Sequence, residues 1–228
     1  MSGENQVLQK LRTVRTSDLS DALDSMGYQQ RYVMSANMRP MYAGIRFAGI
    51  ARTYEYTIID RSLPAMSYEE FAERQYKEGP EGLWHDSGPM GGPDEVMVID
   101  AKGQAAGVLG SFNTLWGRIH GMVGYVIDGS CRDSYECVLQ KTPVFCTVRS
   151  PQHPMGRIGP VSYDRPIVCG GVRVNSGDYV VADDDGVAVL PKELAEEVAR
   201  RAVLIQDQDR PARRAAYEKL GLPLDDTV

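Results

Sequence analysis

The stretch GSFNTLWGRIHGMVGYVIDGSCRDSYE, residues 110–136, contains the pattern that decides the fold. Within it, SFNTLWGRIHG has apolar residues at helical spacing, and MVGYVIDG is an apolar strand that ends at a glycine turn. The preceding DEVMVIDA, residues 94–101, also has the composition of a strand. A strand, a helix and a second strand in this order predict a βαβ crossover, and the class is therefore mixed α/β.

The flanking segments add further helices and strands. SDLSDALDSMG predicts a capped helix over residues 17–26, and the run from Gly44 to Ile58 is typical of a long half-buried strand. Residues 167–191 indicate several short strands joined by Gly, Asn and Asp turns. Pro191 then opens an amphipathic helix that covers the sheet, and the tail from Arg210 predicts one more short helix.

Residues 61–94 differ from the rest because SYEEFAERQYKEG predicts a short helix and GLWHDSGPMGGP is crowded with Gly and Pro. We expect one domain over residues 1–228, with this stretch as a loop-rich excursion. Its Trp84, His85 and Asp86 could belong to a lid or a subunit contact, or to an ordinary solvated loop.

Composition excludes some classes of function. The chain has 25 Lys and Arg against 31 Asp and Glu, and this balance of -6 gives no basic field that would attract nucleic acid. No window approaches the roughly 18 apolar residues of a membrane span. The four cysteines contain no CxxC pair. We therefore expect a soluble, reduced, cytoplasmic protein with neither nucleic acid nor membrane as partner.

Arg132 and Asp133 follow the strand and its glycine turn and open a helix. Helix N-termini present free N–H groups and a positive dipole end, so anionic ligands gather there. Arginine suits a carboxylate, and aspartate offers hard oxygens for Mg²⁺ or Mn²⁺. The pair could hold an oxo acid and its metal, or it could be a structural ion pair at a helix start.

The same segment resembles the RraA-like, class II pyruvate aldolase family, which includes 4-hydroxy-4-methyl-2-oxoglutarate aldolases and oxaloacetate decarboxylases. The residues at its signature positions are Gly110, Gly121, Gly124, Asp128, Gly129, Arg132, Asp133 and Glu136. The resemblance extends to residues 17–27, 143–145 and 177–191. It implies a compact α/β/β layered, swivelling-domain-type fold and a homo-oligomer, a trimer or hexamer, with active sites between subunits.

The resemblance also implies roles for single residues. Arg132 would contact a 2-oxo acid, Asp133 would hold Mg²⁺ or Mn²⁺, and Glu136 would support the metal site without touching the ion. The loop from Gly110 to Asn113 would face the substrate, with backbone N–H groups of Phe112 and Asn113 on the pyruvate oxygens. Metal and arginine would then stabilise the enolate that forms when a C–C bond breaks.

Ser111 departs from the family pattern, because typical aldolases of the family carry an acidic residue there. A hydroxyl cannot replace a carboxylate as a proton relay. Water and Ser111 could manage a slower proton transfer, the substrate could supply the group, or aldolase activity could be lost while binding survives.

Two other classes of function compete with a metal-dependent lyase. RraA itself is an inhibitor of ribonuclease E, so a non-catalytic protein-binding regulator is the alternative. A methyltransferase of menaquinone synthesis is disfavoured because no glycine-rich S-adenosylmethionine loop follows a first strand.

Further polar residues have ordinary explanations. The run Asp183–Asp185 is best interpreted as a tight turn between strands, since an EF-hand needs further ligands. His120 and His153 have no partner at metal-ligand spacing, and we expect surface or packing roles for them. Cys131 adjoins Arg132, but we expect it to be buried as a small apolar residue.

Overall fold

The computed structural model describes residues 3–29, 31–59, 61–78 and 91–228. The helices in these ranges are α1 (Gly3–Leu11), α2 (Thr16–Ser25), α3 (Tyr68–Glu78), α4 (Ser111–Ile119), α5 (Ser134–Leu139) and α6 (Lys192–Leu220). The strands are β1 (Arg39–Pro40), β2 (Phe47–Ile58), β3 (Glu95–Asp100), β4 (Gly107–Leu109), β5 (Gly124–Cys131), β6 (Val144–Arg149), β7 (Ile158–Tyr163), β8 (Ile167–Cys169), β9 (Val172–Val174), β10 (Tyr179–Asp183) and β11 (Gly186–Leu190). The mixed α/β class is confirmed.

The central sheet has the strand order β1-β6-β5-β3-β2-β10-β11, with β4 added beside β5 and β7 beside β2. Strands β2, β3, β5 and β6 run parallel, whereas β1, β7 and β10 pair antiparallel with their neighbours. The predicted crossover is present, because α4 lies in the chain between the parallel strands β3 and β5.

Helices and a hairpin cover opposite faces of the sheet. In β10, Tyr179 and Val181 pack with residues of α1, α2 and α6, whereas Val180 and Ala182 belong to the second core cluster. This alternation follows from the two-residue period of a strand. The β8–β9 hairpin contributes Ile167 to that second cluster, and the layers are therefore helices, sheet and hairpin.

The C-terminal helix corrects one prediction. We expected an amphipathic helix and a separate short helix in the tail, but α6 continues through Pro211 for 29 residues. A proline removes one intrahelical hydrogen bond, and ion pairs at i,i+3 and i,i+4 spacing support the helix on both sides. They are Asp207–Arg210, Asp209–Arg213 and Arg214–Glu218.

The excursion is described only in part. Its predicted helix is α3, whereas Trp84, His85 and Asp86 lie outside the described residues. None of the helices within the described ranges is long and apolar enough to cross a membrane.

Candidate active site at the ends of β4 and β5

Two parallel strands bring part of the signature together, namely Gly110 with Arg132 and Asp133. β4 pairs with β5 so that Leu109 lies opposite Cys131, and the backbone N–H of Arg132 donates to the Leu109 carbonyl at 2.9 Å. Gly110 follows one strand and Arg132 follows the other. The two turns that begin α4 and α5 therefore lie side by side, at the carboxyl ends of parallel strands where ligands commonly bind.

Arg132 and Asp133 form the exposed centre of this edge. Their side chains are 32% and 36% exposed, and Arg132 Nε lies 3.4 Å from Asp133 Oδ1. Asp133 has a left-handed backbone, φ 56° and ψ 36°, immediately before α5. This conformation is uncommon for a residue with a side chain and is found at functional sites when surrounding structure holds it.

Two glycines permit the close approach of these side chains. A Cβ on Gly110 would lie 2.4 Å from Asp133 Oδ2, and a Cβ on Gly107 would lie 2.9 Å from the Arg132 side chain. Gly110 itself has an ordinary extended backbone, φ −131°. Gly110 therefore leaves space for the neighbouring carboxylate in its observed position, and its backbone conformation does not call for glycine.

Ser111 connects the first turn of α4 to two acidic residues, Asp133 and Glu136. Its backbone N–H donates to Asp133 Oδ2 at 3.3 Å, and its buried hydroxyl donates to Glu136 Oε2. Glu136 thus accepts a hydrogen bond from Ser111, the residue that departs from the pattern the resemblance implies. The first-turn N–H groups of Phe112 and Asn113 have no intrahelical carbonyl partner, because no earlier helical turn precedes them.

These residues surround a cavity of about 160 Å³. Its lining residues are Gln75, Gly107, Val108, Gly110, Phe112, Asn113, Arg132, Asp133, His153 and Pro154. The expected residues Gly110, Phe112, Asn113, Arg132 and Asp133 therefore share one cavity. Ser111 and Glu136 do not line it, and they are linked to it through the Ser111 N–H that donates to Asp133. Gln75 belongs to α3, so part of the excursion forms a wall of the cavity.

Sequence reasoning missed His153 and Gln75. The His153 ring accepts a hydrogen bond from the Met155 N–H at Nδ1, 3.1 Å, and packs against the Phe71 ring with centroids 5.3 Å apart. Burial, and then the positive charges of Arg132 and Arg157, lower the pKa of His153. His153 packs against neighbouring residues as expected, and it also lines the cavity, a position that no local sequence pattern indicates.

The donor set suits a lightly held hard cation. No cluster of three or more His, Cys, Asp or Glu side chains that could hold a metal occurs in the described part of the chain. Magnesium, however, is commonly bound by one or two carboxylates together with water and substrate oxygens. Asp133 fits that mode, since it lines the cavity and its carboxylate receives long contacts of 3.3 and 3.4 Å from Ser111 and Arg132.

The other polar residues have structural partners. Asp183 accepts hydrogen bonds from the backbone N–H and hydroxyl of Thr16, and Asp184 accepts from the Gly44 N–H at 2.9 Å. The acidic run is the turn between β10 and β11, as predicted. Cys131 is fully buried, and its interaction with Cys137 together with burial raises the pKa of its thiol.

Comparison with known proteins identifies the family of the chain. Residues 16–189 match the family model described as RraA-like, Aldolase/RraA. A protein of Halalkalibacterium halodurans named "Putative 4-hydroxy-4-methyl-2-oxoglutarate aldolase" is 29% identical over 221 residues, which cover 95% of this chain and 91% of that protein.

Solved structures agree in fold. An uncharacterized protein from Pseudomonas syringae pv. tomato superposes with a TM-score of 0.76 at 26% identity, over 94% of this chain and 89% of that one. RraAS2 of Streptomyces coelicolor, described as an unusual member of the RNase ES inhibitor RraA protein family, gives 0.74 at 27% identity, over 93% and 97% of the two chains.

Proposed function

Because the chain belongs to the RraA-like family, whose fold it shares, we propose that it is a divalent-metal-dependent lyase that cleaves or decarboxylates a 2-oxo acid. The substrate would be a 4-hydroxy-2-oxo acid or a compound like oxaloacetate. The observation that carries this proposal is that Arg132 and Asp133 line the same cavity.

Asp133 would hold Mg²⁺ or Mn²⁺, and Glu136 would support the metal site through Ser111, whose N–H and hydroxyl donate to the two carboxylates. A divalent ion there would supply positive charge to stabilise an enolate oxygen. Arg132 would bind the substrate carboxylate or oxo group with its planar fork of donors. The N–H groups of Phe112 and Asn113 would bind the remaining pyruvate oxygens.

A proton is needed after bond cleavage, and position 111 has no acidic side chain to donate it. The Ser111 hydroxyl already donates to Glu136, so that serine and glutamate together could pass a proton through ordered water. We expect this route to be slower than a directly placed carboxylate.

An oligomer with sites between subunits is part of the proposal. Two of the helices beside the cavity, α4 and α5, carry an exposed set of large apolar side chains, which we call the α4–α5 apolar face. It consists of Phe112, Trp116, Ile119, Tyr135 and Leu139, and Tyr135 is 76% exposed. Exposed apolar patches of this kind commonly mark subunit interfaces. We propose a trimer or hexamer, and light scattering that found a fully active monomer would contradict it.

The test of the enzyme proposal is a screen of 2-oxo and 4-hydroxy-2-oxo acids with Mg²⁺ or Mn²⁺, in which pyruvate release is followed. We expect at least one substrate to be cleaved, and excess EDTA to stop the reaction. Metal-independent turnover, or no turnover of any compound, would contradict the proposal.

The second candidate is a regulator that inhibits an endoribonuclease of the RNase E type. Two observations favour it: the similarity to RraAS2 and the presence of Ser111 instead of an acid. Addition of the protein to an RNase E or RNase ES cleavage assay tests it. Inhibition that persists in Asp133→Ala would support a regulatory role separate from the cavity.

A further inference from the structure

A second cavity lies at the other end of the parallel strands from Arg132 and Asp133. Its volume is about 610 Å³, and its lining residues are Leu11, Arg12, Arg46, Phe47, Ala48, Arg118, Met122, Val123, Lys141 and Pro143. Strand β2 begins at Phe47, and Val123 and Pro143 directly precede β5 and β6. Because the candidate active site follows the carboxyl end of β5, the eight residues of that strand separate the two cavities by on the order of 20 Å.

Four basic side chains line this second cavity, which we call the basic cavity. They are Arg12, Arg46, Arg118 and Lys141, and none of the lining residues that the structure describes is acidic. The chain as a whole has a net charge of -6, so this concentration of positive charge is local. Like charges held close together repel each other, and a bound anion relieves that repulsion. The basic cavity is therefore suited to an anion.

Two of the arginines are oriented by uncharged groups. Arg46 Nη2 donates to the Val14 carbonyl at 3.1 Å, and Arg118 Nη1 donates to the Gln140 carbonyl at 2.8 Å. A backbone carbonyl has no net charge, so these contacts leave the positive charge of each guanidinium in place. Each group also keeps further donors, because a guanidinium has five N–H bonds. Arg46 and Arg118 are thus able to bind an anion with charge-assisted hydrogen bonds.

The other two basic residues differ from each other. Arg12 forms an ion pair with Asp94, which compensates its charge. Lys141 Nζ lies 5.3 Å from the centre of the Tyr42 ring, and this cation–π contact leaves the ammonium charged. Within the described residues, the charge of Lys141 and those of the two preceding arginines therefore remain without a carboxylate partner.

The floor of the basic cavity is apolar. It consists of the buried side chains of Leu11, Phe47, Ala48 and Met122. A ligand that was only an inorganic anion would leave this floor in contact with water. An apolar group attached to the anion would cover it, and removal of apolar surface from water is favourable. The lining therefore favours a ligand with both an anionic group and an apolar group.

We propose that the basic cavity binds a phosphate monoester with an apolar organic group. Such a phosphate has a charge of about −2 at neutral pH and three acceptor oxygens, which suit three uncompensated cations better than a single carboxylate does. The phosphate lies among Arg46, Arg118 and Lys141, and the organic group covers Phe47 and Met122. This site is separate from the one proposed for the 2-oxo acid and its metal.

Phenyl phosphate is the probe, because it combines a phosphate dianion with an aromatic ring. Calorimetry at constant ionic strength gives its Kd for the wild type, Arg46→Gln and Lys141→Gln. Arg173→Gln is the matched control, because Arg173 is an exposed arginine of β9. Arg132→Gln tests whether the phosphate binds in the candidate active site instead. Inorganic phosphate, measured on the wild type, separates the anionic contribution from the apolar one.

We expect Arg46→Gln and Lys141→Gln each to weaken binding of phenyl phosphate about tenfold, since each removes a charge-assisted hydrogen bond. Arg173→Gln and Arg132→Gln should leave the Kd within about twofold of the wild type. Inorganic phosphate should bind about tenfold more weakly than phenyl phosphate, because it leaves the apolar floor uncovered. The Tm should change little in the first two variants, because both side chains are exposed.

Three results would overturn the inference: no binding of phenyl phosphate by the wild type, an unchanged Kd in both Arg46→Gln and Lys141→Gln, or loss of binding in Arg132→Gln. In the first case, a smaller oligomer of Lys141→Gln in light scattering would show that the basic cavity is a subunit contact. Equal Kd values for inorganic phosphate and phenyl phosphate would contradict the role of the apolar floor.

Discussion

The candidate site and the β10–β11 hairpin show two different ways in which sequence becomes structure. The hairpin has a regular antiparallel register, from Tyr179 opposite Leu190 to Asp183 opposite Gly186, and its residues alternate between the two faces. The site consists of Arg132 and Asp133, one of them with a left-handed backbone, and both depend on glycines from an earlier strand and turn.

The difference lies in what holds each region. Pairing between neighbouring strand residues and packing against the core stabilise the hairpin. Most substitutions there should therefore change the free energy of unfolding and leave catalytic activity unaffected. The site is held by contacts between two turns distant in the sequence, and small displacements there should alter chemistry without unfolding the protein. Predictions that separate activity from stability test this contrast.

The largest effect is expected for Asp133→Ala, which removes the carboxylate that would hold the metal. Activity on any 2-oxo acid substrate should fall to background in a pyruvate-release assay with Mg²⁺ or Mn²⁺. Asp185→Ala is the matched control, because it removes an exposed aspartate from the hairpin turn. If both variants retained activity, Asp133 would have no role in metal binding.

Arg132→Lys should lower kcat/KM by at least about a hundredfold, because a point charge cannot reproduce the planar guanidinium. Thermal unfolding should change little, since the Arg132 side chain is about one-third exposed at 32%. Steady-state kinetics together with calorimetric melting would measure the two effects. An unchanged kcat/KM would remove Arg132 from the site.

A pair of glycine substitutions, one in the candidate site and one in the β10–β11 hairpin, compares the effects on activity and stability in the two regions. In Gly110→Ala the new Cβ meets Asp133 Oδ2, so the carboxylate must move and activity should fall about thirtyfold with the Tm nearly unchanged. Gly186→Ala meets no atom within 4 Å, but its φ of +155° is unfavourable for alanine. It should cost about 1 kcal/mol, or roughly 2–4 °C in Tm, with normal activity.

Activity and Tm measured on both variants test whether the site and the hairpin differ in this way. If Gly110→Ala lowered the Tm as much as Gly186→Ala did, the site turn would be part of the stabilising framework, and the contrast between the regions would be wrong.

The smallest expected effect is an increase in turnover. Ser111→Asp introduces the acid that the family resemblance implies for an aldolase at this position, and we expect turnover to rise about tenfold. The new carboxylate would lie against Glu136, which now accepts the Ser111 hydroxyl, so that the two acids would share a proton and raise one pKa. Affinity for pyruvate or oxalate should change much less, as calorimetry would measure. An unchanged rate would show that the proton travels through another group.

Much of the fold could be predicted because its signals are local. The helix expected over 17–26 is Thr16–Ser25, and the crossover around α4 has parallel strands as predicted. The strand β4 was not predicted: it has three residues, and its place beside β5 depends on pairing with a distant segment. The helix expected to end before Pro211 continues, because local ion pairs support it.

For the site, the sequence by itself determined that a strand, a glycine turn and the Arg132–Asp133 pair would occur together, since strand ends and helix starts have short-range patterns. Only the tertiary structure decided which side chains face that pair. Ser111 turns its hydroxyl to Glu136, and Gln75 and His153 arrive from α3 and from the loop after β6. Contacts between distant segments leave no periodic trace in one sequence, because they depend on how the layers pack and not on neighbouring residues.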